Sequence, residues 1–263
     1  MLRLKKSLGQ NFLSDKNVIN KISSLDNLKN QIIVEIGPGS GNLTESIIKK
    51  HPKKIILVEK DQRFSKLLRE KLGGQKNLEI HNQDILEYTF DEALLKDSIV
   101  FGNLPYNIST QILAKFISIE KWPPFFKKII FMFQKEVADR ILANHNTKEY
   151  GRISVLANFR LEIVENFKIS KNCFFPKPAV DSKIIVFKPK MNLNYKIRNI
   201  KNLEKITNIF FSNKRKMINK PLSKTFKEYK NIAKKLRLNL NSRPSELSCN
   251  DYYRLTEFYE KFN

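Results

Sequence analysis

Four consecutive residues, Asn103-Leu104-Pro105-Tyr106, have the types and order needed to activate a planar exocyclic amine. The lone pair of such a nitrogen is delocalised into its ring, so it attacks poorly until acceptors hold its hydrogens. The side-chain oxygen of Asn103 and the carbonyl of Leu104 can each take one hydrogen, drawing the nitrogen toward a tetrahedral shape and aiming its lone pair outward. Pro105 fixes its own φ and offers no competing N–H. Tyr106 supplies a ring on which a base swung out of its helix can stack. Alone, the tetrapeptide reads equally well as a proline turn after a strand, so its weight comes from its context.

That context begins at Glu35-Ile36-Gly37-Pro38-Gly39-Ser40-Gly41, which follows an apolar run directly. Glycines at a strand-to-helix turn permit positive φ and let a ligand approach the main chain. Glu59 closes the next apolar run, placed to accept hydrogen bonds from both hydroxyls of a ribose. Asp84 follows the third run, and Asn103 ends the fourth. Each group therefore falls at the C-terminal end of a strand, where open α/β sheets bind ligands. Other readings stay open here: a tight turn with no ligand, Asp84 as a helix N-cap, or a nicotinamide dinucleotide fold. Against the last, the GxGxxG pattern needs glycine where Asn42 stands, whereas ExGxGxG resembles the spacing of methyltransferases. S-adenosylmethionine carries no phosphate and needs no phosphate cradle, and Asp84 fits a contact to its adenine amino group.

The elements that must position these groups are legible in hydropathy. Near-continuous apolar runs at 31–36, 54–59, 78–81, 98–103 and 128–133 read as parallel strands buried on both faces. Between them, 41–50, 61–72 and 108–119 carry helical period. This is a doubly wound α/β pattern, and with the ExGxGxG turn it resembles the Rossmann-like sheet of class I methyltransferases. A charged helical segment follows at 134–144, and runs at 161–169 and 183–189 are expected to complete the sheet as edge or hairpin strands. From about residue 191 strand signals vanish and helical period takes over. The expected organisation is a cofactor-binding domain over 1–190 and a small all-helical RNA-binding domain over 191–263.

Composition supports a nucleic-acid partner. There are 49 Lys and Arg against 26 Asp and Glu, a net charge of +23, which favours displacement of counterions from phosphates. An AT-rich coding bias would also enrich Lys, Asn and Ile. Cys173 and Cys249 are far apart, and His51, His81 and His145 have no partners at ligand spacing, so neither a disulfide framework nor a metal site is expected. The basic residues 1–6 lead into no signal-peptide run, and no stretch approaches bilayer-spanning length. The chain reads as soluble and cytoplasmic.

The motifs taken together resemble the ribosomal RNA adenine N6,N6-dimethyltransferase family over essentially the whole chain. The resemblance rests on Ser7-Leu8-Gly9-Gln10-Asn11-Phe12-Leu13, on Glu35-Ile36-Gly37-Pro38-Gly39, and on Phe101-Gly102-Asn103-Leu104-Pro105-Tyr106-Asn107-Ile108-Ser109. Gln134-Lys135-Glu136-Val137-Ala138 and Phe175-Pro176-Lys177-Pro178-Ala179-Val180-Asp181-Ser182 extend it, as do Phe211-Ser212-Asn213-Lys214-Arg215-Lys216 and Arg243-Pro244-Ser245-Glu246-Leu247-Ser248. The resemblance implies S-adenosylmethionine as cofactor and dimethylation of two adjacent adenosines in the 3′-terminal hairpin loop of small-subunit (16S) rRNA. The implied substrate is a pre-ribosomal 30S particle late in assembly, and the enzyme a monomer making four methyl transfers. It also implies that Asn11 and Leu13 close over the cofactor, that Gly37 contacts it by backbone, that Glu59 holds the ribose, and that Asp84 and Asn103 flank its two ends.

On the substrate side the resemblance points to Phe174 or Phe175 as a lining residue of the target pocket, although either is as readily a hydrophobic anchor for its loop. Lys214, Arg215 and Lys216 stand where the family has RRK. Charge is kept there while some bidentate arginine geometry is lost. As a cluster the lysines of 214–220 and 224–237 suit an RNA surface, and singly each is more often a solvated face. Two rival functions remain. A large-subunit adenine methyltransferase of the macrolide-resistance type is disfavoured by Gly9, Leu104 and the Arg243 to Ser248 segment. A non-catalytic assembly factor is disfavoured by retention of Glu59, Asp84 and all of 103–106.

Overall fold

The computed structural model describes residues 11–262. Residues 7–10 of the N-terminal motif, and the basic stretch before them, lie outside the described residues.

In chain order the elements are β1 (Phe12–Leu13), α1 (Lys16–Ser23), β2 (Ile32–Ile36), α2 (Asn42–Ile48), β3 (Lys54–Glu59), α3 (Gln62–Leu72), β4 (Leu78–Asn82) and β5 (Ser98–Asn103). There follow α4 (Ser109–Ile117), β6 (Phe126–Gln134), α5 (Lys135–Leu142), α6 (Arg152–Arg160), β7 (Leu161–Ile169), β8 (Phe174–Phe175) and β9 (Ser182–Pro189). The last four are α7 (Ile200–Phe211), α8 (Asn219–Thr225), α9 (Tyr229–Leu236) and α10 (Cys249–Phe262).

Seven strands form one sheet in the order β4-β3-β2-β5-β6-β9-β7. β4, β3, β2, β5 and β6 run parallel, and β9 returns antiparallel to β6. Four of the expected parallel runs become strands covered on both faces: Ile33, Val34, Ile55, Leu57, Ile99, Val100, Phe101 and Ile129 are all sealed from solvent. The run at 78–81 departs from the expectation, because β4 is an edge strand with no buried residue. β7, at the sheet edge, is buried only at its two end residues and is partly or fully exposed between them. The runs at 161–169 and 183–189 thus close one side of the sheet, as their hydropathy indicates. Three elements carry too little local signal for the sequence to show them. They are the helices α1 and α6, and the small antiparallel ladder that joins β1 to β8.

The chain divides into two compact units. The first comprises 1–113, 123–138 and 163–189; the second comprises 114–122, 139–162 and 190–263. The helical unit is therefore assembled from three chain segments, whereas composition marks only the last of them. In it Phe210 and Phe211 meet Tyr252 with ring centroids 5.7 and 5.3 Å apart, and the Tyr252 hydroxyl donates to the Pro244 carbonyl at 2.7 Å. Arg160 is buried there. It donates to the carbonyls of Ile117 and Ile119 at 2.7 and 2.6 Å and lies 4.7 Å from the Trp122 ring, so its charge is met by dipoles and a π face. Among the described residues no helix is long and apolar enough to cross a membrane, and no group of three or more His, Cys, Asp or Glu could hold a metal ion.

Phe101 sits at the middle of the sheet with no exposed surface. Phe101→Ala is expected to lower unfolding stability by about 3–5 kcal/mol in urea titration, the range for a phenyl group removed without collapse. A loss below about 1 kcal/mol would mean that this strand is not packed on both faces.

Candidate functional site

β2 and β5 are adjacent, but the chain reaches β5 only after laying down β3 and β4 on the other side. Their carboxyl ends therefore diverge around a crevice, and the groups singled out in the sequence collect there. One cavity is lined by Asn11, Gly37, Glu59, Asp84, Asn103, Leu104, Pro105 and Tyr106, all of them expected site residues. It is also lined by Phe12, Lys60, Gln83 and Ile85, which sequence reasoning missed. Lys60, Gln83 and Ile85 flank Glu59 and Asp84, so the strand-end rule already pointed at their neighbourhood. Phe12 gave no local signal.

The glycine turn is built for close approach. Gly37 has φ of +64° and donates from its N–H to the Val58 carbonyl at 2.9 Å. At Gly39, φ is +54° and a Cβ would lie 2.4 Å from the Phe12 ring, so a side chain is excluded by backbone and neighbour alike. Asn42, the residue that breaks the dinucleotide pattern, donates from Nδ2 to the Leu13 carbonyl at 2.8 Å and ties β1 to the start of α2.

Glu59 is 7% exposed. Its Oε2 accepts from the Gly39 N–H at 3.1 Å and its Oε1 from the Asp61 N–H at 2.8 Å. Burial raises its pKa above the usual carboxylate value, and those two backbone donors oppose the shift without cancelling it. Each oxygen keeps a lone pair for an outside donor. Asp84 accepts from the Leu86 N–H at 2.9 Å and pairs with the Lys60 ammonium at 2.6 Å. It caps a turn and lines the cavity; no helix follows it, so the N-cap reading does not hold.

Asn103 donates from Nδ2 to the Asn11 carbonyl at 3.0 Å. The amide is thereby oriented, with its nitrogen spent on the N-terminal segment and its Oδ1 left as acceptor. The Tyr106 hydroxyl is 2.6 Å from Ser182 Oγ, which holds the ring to the sheet. Ser182 in turn follows Asp181, whose carboxylate accepts from the Lys171 N–H at 2.9 Å and pairs with Lys168 at 2.9 Å. The segment 175–182 is therefore a brace for Tyr106, a use that the sequence motif did not disclose.

Other expected residues lie elsewhere. Leu13 is buried against the core and pairs with Phe174, whose side chain is buried in the same cluster. Neither is among the residues lining this cavity, and both are buried where β1 pairs with β8. Phe175 is 55% exposed and does not line this cavity. Lys214 donates to the carbonyls of Lys148 and Tyr150, so it works as an internal brace, and burial lowers its pKa. Arg215 and Lys216 stay exposed in the turn after α7.

Glu35, the first residue of the glycine motif, is fully enclosed and accepts from Thr44 Oγ1 at 2.7 Å. Desolvation pushes its pKa up to about 7; the Thr44 bond opposes this and Glu59 adds to it.

Several known proteins are similar to this chain. The family model for ribosomal RNA adenine dimethylase matches residues 1–261. The ribosomal RNA small subunit methyltransferase A of Pelagibacter ubique (strain HTCC1062) is 46% identical over 261 residues, covering 98% of each chain. Its counterpart in Mycoplasmopsis synoviae (strain 53) is 39% identical over 248 residues, 92% of each. Among solved structures, a dimethyladenosine transferase from Plasmodium falciparum superposes with a TM-score of 0.74 at 27% identity, covering 95% of this chain and 98% of that one. The 23S rRNA methyltransferase ErmE shares the fold, with a TM-score of 0.68 at 23% identity over 95% of this chain and 99% of that one.

Two outcomes follow from the packing around the turn. Gly39→Ala should displace the Phe12 ring, lower the melting temperature and expose the amides of the β1–β8 ladder to hydrogen exchange; unchanged exchange would show that the ring does not depend on the glycine. Between the ordinary carboxyl value and about 7 the folded chain keeps a Glu35 proton that the unfolded chain has released, so this residue makes stability fall as pH rises through that window and level off above it. Glu35→Gln should therefore gain roughly 1–3 kcal/mol relative to the unsubstituted chain between about pH 5 and about pH 8. A pH-independent difference in urea stability would contradict this.

Proposed function

Starting from a chain that belongs to the ribosomal RNA adenine dimethylase family, we propose that it dimethylates the N6 of two adjacent adenosines in the 3′-terminal hairpin loop of small-subunit rRNA, late in small-subunit assembly. The observation that carries this reading is the orientation of Asn103, whose amide nitrogen is held by Asn11 while its oxygen remains an acceptor beside Leu104, Pro105 and Tyr106.

The residues of the cavity fit S-adenosylmethionine, the cofactor of this family. Beside Gly37 there is room that a Cβ would fill, its nearest neighbour being the Asn103 carbonyl at 3.8 Å. Glu59 is already clamped by two backbone donors and presents free lone pairs suited to a ribose diol. Asp84 and the adjacent Ile85 backbone suit an adenine edge, and Asn11 and Phe12 cover the other end. When bound, the cofactor supplies a methyl group on a sulfonium, already activated for transfer.

What the chain's own residues do is position and polarise. Asn103 Oδ1 and the Leu104 carbonyl take the two N6 hydrogens, Pro105 contributes no rival donor, and Tyr106 offers a ring whose tilt is set by Ser182. A dedicated general base is not needed, because the methylated nitrogen is acidic enough to release its proton to water. Once one methyl is in place a single N6 hydrogen remains, and one of the two acceptors suffices for the second transfer.

The enzyme acts as a cytoplasmic monomer on the pre-ribosomal 30S particle. In this reading Arg215 and Lys216 contact phosphate, while Lys214, bonded to the Lys148 and Tyr150 carbonyls, supports their turn.

The test is incubation with labelled S-adenosylmethionine and either small-subunit particles or large-subunit RNA lacking the modification, followed by digestion to nucleosides. Label in N6,N6-dimethyladenosine from the small subunit is expected. Label from large-subunit RNA alone would reassign the target, and none from any RNA would leave a non-catalytic assembly factor. Asn103→Ala should cut methyl transfer by at least about a hundredfold while RNA affinity stays within a few fold. Loss of RNA binding in that variant would remove Asn103 from the chemistry.

A further inference from the structure

The helical unit carries a second concavity that the methyl-transfer reading does not use. It is a groove of about 660 Å³ between the end of α8, the turn after it, α9 and the last turn of α10. Its floor is apolar, formed by Phe226 and Ile232, both buried. One wall is an aromatic pair: Phe258 and Phe262 lie with centroids 5.5 Å apart and planes inclined by 29°. Phe262 is 70% exposed, so much of its ring is open to solvent. The Lys235 ammonium sits 5.0 Å from the Phe258 ring centroid, and Lys224 and Lys227 also line the groove. Glu228 is the one carboxylate among the lining residues, and it accepts from Asn231 Nδ2 at 3.4 Å.

We propose that this groove binds an unpaired nucleotide of single-stranded RNA, with its base on the Phe262 face and its flanking phosphates on Lys224, Lys227 and Lys235. The chemistry is that of a stacking platform beside a cationic track. Each component alone has another use, but an exposed ring stacked on a half-buried one and flanked by lysines matches a planar base joined to phosphodiesters. An acidic peptide would use the lysines and leave the ring face wet. Duplex RNA would use the lysines too, yet its bases are stacked on one another and closed to the ring. The inference is independent of which adenosines the enzyme modifies, because no methyl transfer enters it.

The experiment measures binding of a fluorescein-labelled oligouridine decamer to the full-length chain by anisotropy, at several salt concentrations. Uracil has no exocyclic amine, so the probe does not report on the adenine-activating loop. Phe262→Ala is expected to weaken binding by about fivefold or more, as loss of one base–aromatic stack does, with an unchanged melting temperature. Phe262→Trp should bind within about twofold of the unsubstituted chain or better, since it restores the π face. The double substitution Lys227→Gln and Lys235→Gln should flatten the salt dependence of affinity. Equal affinity for Phe262→Ala and the unsubstituted chain would overturn the proposal. So would competition by polyglutamate, or by an RNA duplex of the same length, as strong as that of unlabelled oligouridine.

Discussion

In a sheet covered on both faces, side chains along the strands have only apolar neighbours, and polar groups are tolerated where the strands stop. Because β2 to β6 run parallel, their stops lie along one edge, and the first polar residues after each apolar run are delivered to a common rim. Glu59, Asp84 and Asn103 occupy that rim for this reason, with the glycine turn after β2 beside them. The order β4-β3-β2-β5 then separates the loops after β2 and β5, so the rim encloses a crevice rather than a flat ridge.

A rim of polar groups becomes a site only when their directions are fixed. Here the fixing comes from outside the sheet. The N-terminal segment places the Asn11 carbonyl under the Asn103 amide and the Phe12 ring over Gly39, and it is held by pairing with β8 and by the Asn42 bond to Leu13. On the other side Ser182 holds Tyr106. The carboxylates that serve the turn are buried at some cost in desolvation: Glu59 offsets it with backbone donors, and Glu35 by keeping its proton to about pH 7. Positioning on this scale suits a reaction whose methyl donor is already activated.

The strongly positive charge of the chain divides into structural and surface roles. Arg160 and Lys214 spend their donors on backbone carbonyls inside the helical unit. Lys128 pairs with Asp26 at 2.5 Å in the other unit. Arg215, Lys216 and the lysines around Phe262 remain at the surface, where phosphate is their natural counterion. Net charge counts all of these alike, and only their surroundings tell them apart.

The sequence by itself determined the five parallel strands, the glycine turn and the positions of Glu59, Asp84 and Asn103. All of these follow from local patterns, namely apolar runs long enough to be buried and polar residues at their ends. Its motifs also determined the family, since several short segments agree along the whole chain. Tertiary structure decided what depends on residues distant in the chain. The ladder carrying Phe12 and Phe174 joins segments separated by 159 residues at the neighbouring Ser14–Cys173 bond, and no local preference encodes such a partner. It turned Leu13 and Phe174 into anchors, gave Ser182 to Tyr106, and drew 114–122 and 139–162 into the helical unit. The physical reason is the same in each case: a two-residue strand or a single hydroxyl has no stable place until a packed core presents its partner at hydrogen-bond distance.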